Sequence, residues 1–186
     1  MGIPEPAGPL WTVVKAIHDP WPPDDENRAR AIGEQWARGA GMLDEGAAES
    51  AEAGRAVQAS WRDAAGAAFD GRLGEFRQTA GQVREQTLTL AAQAQTYAGE
   101  LVSAKSIIVS TITANEGKFA LITPALFGPY APSLQLSFAA VIANYLREMI
   151  AQKAAALRAD PAQPAPLPPP AAATRRRRTR PGRGPS

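Results

Sequence analysis

A chain with one histidine and no cysteine has few routes to chemistry. Without thiols it can form no disulfide, no thiolate nucleophile and no zinc–thiolate site. His18 stands in "AIHDPWPP", between prolines, so a histidine metal cluster is impossible and a Ser-His-Asp machine would rest on a single loop residue. The 18 acidic residues are spread along helical surfaces, and no glycine loop precedes a Lys-Ser or Lys-Thr pair to cradle phosphate. The pattern predicts no catalytic, cofactor-binding or metal-binding residues, and no enzyme.

One cluster does have chemical character. Arg175, Arg176, Arg177, Arg178, Arg180 and Arg183 follow the last acid in the chain. Such a run attracts phosphate with strong salt dependence. It has no interleaved aromatic and no adjoining reading helix, so weak nonspecific contact with polyanions is what it predicts. The remaining 14 Lys and Arg face 18 acids, which makes an acidic body with a basic tail.

The elements that must carry any site are helical. Residues 1–23 form a Pro-rich arm with a short apolar helix from Leu10 to Ile17, lacking the basic leader of a signal peptide. "PPDDE" then supplies a helix start, with an Asp to cap and acids in the first turn. Ile32, Trp36, Leu43, Ala47, Ala51 and Val57 recur at helical spacing along a first arm. On a second arm Phe69, Leu73, Phe76, Ala80, Val83, Thr87, Leu90, Ala94, Tyr97, Leu101, Ala104 and Ile108 alternate steps of three and four, as a coiled-coil seam does.

A turn at 59–65 brings Val57 opposite Phe69, Leu43 opposite Val83, Trp36 opposite Leu90 and Ile32 opposite Ala94. All four pairs are apolar, which predicts an antiparallel hairpin with a buried Trp61 closing its end. Frequent glycines on the arms fit either a close helix–helix face or compositional bias. "NEGKFALITPALFGPYAPS" breaks the helix, and a third helix from Leu134 to Leu157 is expected to fold back on residues 101–116, with Trp11 or Trp21 nearby. Residues 119–146 carry no charge, but prolines leave 13 clean residues, which is short for a membrane span. Contact with a membrane through 119–150 is the alternative use of that stretch. From Asp160 onward the Pro/Arg-rich sequence cannot bury a core, and a disordered, partly polyproline tail over 159–186 is expected.

The turn, "WRDAAGAAF", resembles the WXG-motif proteins, small helical hairpins exported by type VII secretion systems of actinobacteria and Gram-positive relatives. Trp61, Ala65, Gly66, Ala68 and Phe69 carry that likeness, while Asp63 stands where the motif has glycine. Trp21, Pro22, Asp25, Glu26 and Trp36, with "YAGELVSAKSII" from Tyr97, resemble the N-terminal trafficking domain of actinobacterial polymorphic toxins over about residues 10–157. The resemblance implies an all-α hairpin with a third helix at its open end, over 24–158. It also implies a partner that is another hairpin or the secretion machinery, and export from the cytoplasm without a classical signal peptide, here with no toxin domain attached. The family's export signal is a Tyr with an acid four residues on. Tyr97 is in place, but Leu101 occupies that position and Glu100 comes one early.

Overall fold

The computed structural model describes residues 2–158, so the Pro/Arg-rich segment and its six arginines lie outside the described residues. Among the described residues there are five α-helices, one 3-10 turn and no strand. They are α1 (Pro9–Ile17), α2 (Glu26–Ser60), α3 (Ala64–Ala120), α4 (Pro124–Phe127), the 3-10 turn Gly128–Tyr130, and α5 (Ala131–Arg158).

Local chemistry sets each boundary. Asp25 caps α2 by accepting the Asn27 N–H, and Asp63 caps α3 by accepting the Gly66 N–H at 2.9 Å. Pro124 cannot continue α3, and Gly128, at φ 54, turns the chain into α5. The first helix has no cap of its own. Glu116 supplies one from α3, its Oε1 accepting the Leu10 N–H at 3.3 Å. Gly8, at φ 124, adopts a backbone conformation that favours glycine, and a Cβ there would also push on that carboxylate, at 2.8 Å.

α2 and α3 form the antiparallel hairpin, with the turn at 61–63. Asp44 meets Arg84 at 2.6 Å, Arg30 accepts from Gln95, and Gly33 lies against Ala91, all in the expected register. The seam differs in part from expectation, although Ala80, Thr87, Leu101, Ala104 and Ile108 of the expected stripe are buried. Its buried residues are mostly small: Ala29, Gly33, Ala40 and Gly54 on α2, with Ala80, Thr87, Ala91 and Ala98 on α3, and Leu101 joins Ala29 and Ala98 at the proximal end. Ile32, Trp36, Phe69, Phe76 and Tyr97 remain exposed beside it. Backbones this close leave no space between them for large side chains, which are squeezed onto a flank. Gly33 and Gly66 are close-packing glycines; Gly39, Gly46, Gly71, Gly74, Gly81 and Gly99 have open space at the Cβ position.

Large residues are buried at the other end. Leu10, Trp11 and Val14 of α1, Ile108, Ile112 and Phe119 of α3, and Ala139, Ala143 and Leu146 of α5 make one core. Trp21 packs against it, edge to face with Trp11 at 6.3 Å. Thus α3, at 57 residues, outruns α2, at 35, and its overhang is covered by the first and last helices, as the continuing apolar stripe requires. The N-terminal arm is part of this core, not an appendage.

Two outcomes follow. Gly81→Ala should stabilise by about 1 kcal/mol, because Ala favours a helix and nothing opposes the added methyl; Gly66→Ala should destabilise, since its Cβ would fall 2.2 Å from the Trp61 carbonyl oxygen. Urea unfolding of both variants reads the signs. Ending the chain after residue 118 removes the cover from Ile108 and Ile112, so that truncated protein should aggregate where the parent is soluble. A well-behaved truncated monomer of parental stability, measured by sedimentation and melting, would show that α5 is a separate attachment.

Candidate functional site

Two regions hold the residues singled out in the sequence. At the arm junction, Glu26 is 2% exposed yet charged. One carboxylate oxygen accepts from Lys105 Nζ at 2.5 Å, the other from the Ile3 N–H at 2.6 Å. Lys105 also donates to the Asp24 carbonyl at 2.9 Å and sits 5.3 Å from the centre of the Trp21 ring. The hydrogen bond from Lys105, followed by backbone N–H bonds, holds the Glu26 carboxyl down at about 2. Trp21 and Glu26 therefore do meet, around a lysine 79 residues away from Glu26, whereas Asp25 stays at the cap of α2 and Asp24 takes the third contact. Trp36 does not join them; it lies out on the hairpin. The role of Lys105 left one trace in the sequence, a lone cation inside the apolar run "LVSAKSII".

Tyr97 and Glu100 are not brought together. The Tyr97 hydroxyl donates to the Asp24 carboxylate, which raises its pKa to about 12, while Glu100 accepts from Lys153 of α5 at 2.8 Å. Leu101, where an acid would complete the export pattern, is buried. Tyr97 separates two hollows. One, of about 320 Å³, is lined by Trp21, Pro22, Leu101, Arg147, Ile150 and Leu157 among others. The second, of about 300 Å³, is lined by Asp24, Asp25, Arg28, Ala29, Ile32 and Ala94, and it opens onto the hairpin's flank.

At the tip, Trp61 is 45% exposed, its ring tilted against Phe69 at 6.3 Å. This corrects the expectation of a buried, seam-closing tryptophan. The Ala/Gly seam has no room for an indole, so the ring stays outside on its neighbour. Its truncation should cost well under the roughly 3–5 kcal/mol of a fully buried aromatic. Asp63 does the work of a cap, and the indispensable glycine of the turn is Gly66, pressed on the Trp61 carbonyl. Ala65 and Ala68, the small residues of the motif, are exposed on the first turns of α3.

The sequence profile described as a WXG100-like domain matches residues 2–146. The chain belongs to that family. No curated protein and no solved structure matches it. WXG100 proteins are non-enzymatic helical secretion proteins that typically pair as hairpin dimers. Among the described residues, no three His, Asp or Glu side chains converge to hold a metal ion.

The junction predicts a pH dependence. Glu26 has a folded pKa of about 2 against an ordinary 4.5, so its contribution is complete above about 4.5 and is lost as pH falls toward 2. Melting temperature should drop across that window, and Glu26→Gln should lower it at pH 7 while flattening the acid limb. An unchanged acid limb in the variant would place the sensitivity elsewhere.

Proposed function

We propose that this WXG100-like protein is a type VII secretion-linked interaction and trafficking module, a helical hairpin that leaves the cell in company with a partner. The observation that supports it most is the flank of large apolar residues, Ile32, Trp36, Phe69, Phe76 and Tyr97, left exposed by a seam of small ones. A monomer gains nothing by keeping these side chains in water, whereas a pairing surface needs them. The resemblance to toxin trafficking domains supplies the direction of traffic. With Leu101 buried where the export signal has its acid, recognition by the machinery would come through the partner.

A second reading has its own observation. Pro124–Arg158 is long and apolar enough to cross a membrane by length and composition, and only 11% of its most apolar window is buried. Leu121, Leu126, Phe127, Tyr130, Leu136 and Val141 are exposed around the α3–α5 elbow. Full insertion would pull Ala139, Ala143 and Leu146 out of the core, so surface contact is the form this reading takes. Liposome flotation, before and after a carbonate wash, separates contact from insertion. The arginines of 175–183, as a polyanion contact, lie outside the described residues.

Export gives the decisive measurement. The tagged full chain, expressed in an actinobacterial host beside isogenic cells lacking the type VII ATPase, should reach the culture filtrate only in the first. Equal amounts in both filtrates, or retention in both with intact folding, would overturn the trafficking role.

A further inference from the structure

α5 runs back along α3, with Gln135 donating to the Ile122 carbonyl, Phe138 beside Phe119 and Lys153 paired with Glu100. That register brings its last turn level with Tyr97, where Ala154 and Leu157 line the first hollow. The axis of α5, continued, passes over Tyr97 into the second hollow, among Ala29, Ile32 and Ala94. Beyond lies an open trough. At 100° per residue, Trp36 and Leu43 continue the side marked by Ile32, while Leu90 and Val83 continue the side marked by Tyr97. Gly39 and Gly46 border it with open space at their Cβ positions. Outside Gly46, Glu45, Glu49 and Glu52 follow one another at steps of four and three, all exposed, and α2 has no Lys or Arg between Arg38 and Arg55.

We infer that the chain's own Pro-rich segment, Pro161–Pro170, occupies this trough, running from the hollow at Tyr97 toward Glu49, with the arginines that follow it drawn to the acidic row. Position favours this occupant, because Arg158 is the last described residue and Pro161 comes three residues later, at the mouth of the trough. The walls favour its backbone. Both are helices, whose N–H and carbonyl groups are already bonded to each other, so they offer an extended segment no ladder. Polyproline II needs none, and six of the ten residues from 161 to 170 are prolines with no N–H to satisfy. Such segments dock on aromatic rings, here Trp36 and Tyr97, whose hydroxyl is held by the Asp24 carboxylate. Length and charge agree. At about 3.1 Å per residue the segment extends about 31 Å, the rise of about 20 helical residues, which runs from Ala29 to Glu49 on α2. Arg175 to Arg178 begin five residues further on, within reach of Glu49 and Glu52. The short tether sets an effective concentration in the millimolar range, so weak contacts suffice. The segment is thus a cover in cis: a partner laid on Ile32, Trp36 and Leu43 must first lift it, while Trp61 and Phe69 stay open.

The chain has no cysteine, so introduced thiols report alone. Gly46 and Gly81 stand at about the same level of the hairpin, on opposite sides of the seam, and each has open space at its Cβ position. Both therefore accept Cys with the helices intact, which circular dichroism checks. In the full chain at micromolar concentration, Gly46→Cys with Ala165→Cys should close an intramolecular disulfide about tenfold faster than Gly81→Cys with Ala165→Cys. Adding Pro164→Gly, Pro166→Gly and Pro168→Gly to both pairs should bring the two rates together. Equal rates in the parent background, or a preference for Gly46→Cys that survives the three glycines, would overturn the inference. A mixture of the single variants Gly46→Cys and Ala165→Cys is the remaining arm: linkage between separate chains as fast as linkage within one would give the trough to a second copy and sink the cover in cis.

Discussion

Backbone proximity between α2 and α3 is the constraint on which the rest of the hairpin depends. Alanine and glycine at the contact let the two helices approach until Gly33 is pressed on the Ala91 carbonyl. Little apolar area is buried by such residues, at roughly 25 cal/mol per Å². The stabilisation comes from close contact over a long interface, and the large side chains are displaced to one flank as a consequence. Ile32 and Trp36 stay 45% and 44% exposed, so a sizeable part of their transfer free energy is still available to a second surface. The seam that holds the hairpin together thus also makes its flank adhesive.

The proximal end follows a different logic. There the core is built from leucine, isoleucine, valine and aromatic rings, with charged groups placed inside it. A buried ion pair is costly to desolvate and seldom adds net stability against a well-packed apolar pair. Glu26 and Lys105 are both multiply bonded, and their partners come from three places: the N-terminal residues at Ile3, the loop at Asp24, and α3. That arrangement fixes position more than it adds stability. It sets where the N-terminal arm crosses the hairpin, and Glu116 does the same for α1 by capping it from 106 residues away. Removing one member leaves the other charge buried alone, which is the state that makes these sites sensitive.

Helix existence, the turn and the hairpin register were legible in the sequence, because each rests on local chemistry: Asp25 and Asp63 as caps, prolines as stops, and matched spacing about one centre. The seam was legible only in part. Two stripes run side by side on each helix, one of small residues and one of large, and both keep the same alternation of three and four. Weighting by hydrophobicity selects the large one, whereas contact distance selects the small one. For the same reason Trp61 read as a buried closure and is found outside. A pair such as Gly8 with Glu116 leaves no local signal, and Lys105 leaves only its isolation inside an apolar run, which does not name Glu26 as its partner.

The difference in length between the two arms explains the remaining elements. A hairpin of equal arms would need no α1 and no α5. Here α3 continues for about five turns past the residues α2 can reach, with Ile108, Ile112 and Phe119 on its inner face. Two helices are needed to enclose such an overhang, one for each flank of the stripe, and the chain supplies one from before α2 and one from after α3. Once α5 is recruited for that purpose, its far end must finish somewhere along the hairpin. It finishes at Tyr97, beside the loop that Lys105 and Glu26 hold in place. The buried charge at the junction therefore helps set how much of the adhesive flank is left open, although it touches none of the residues that line it beyond Tyr97.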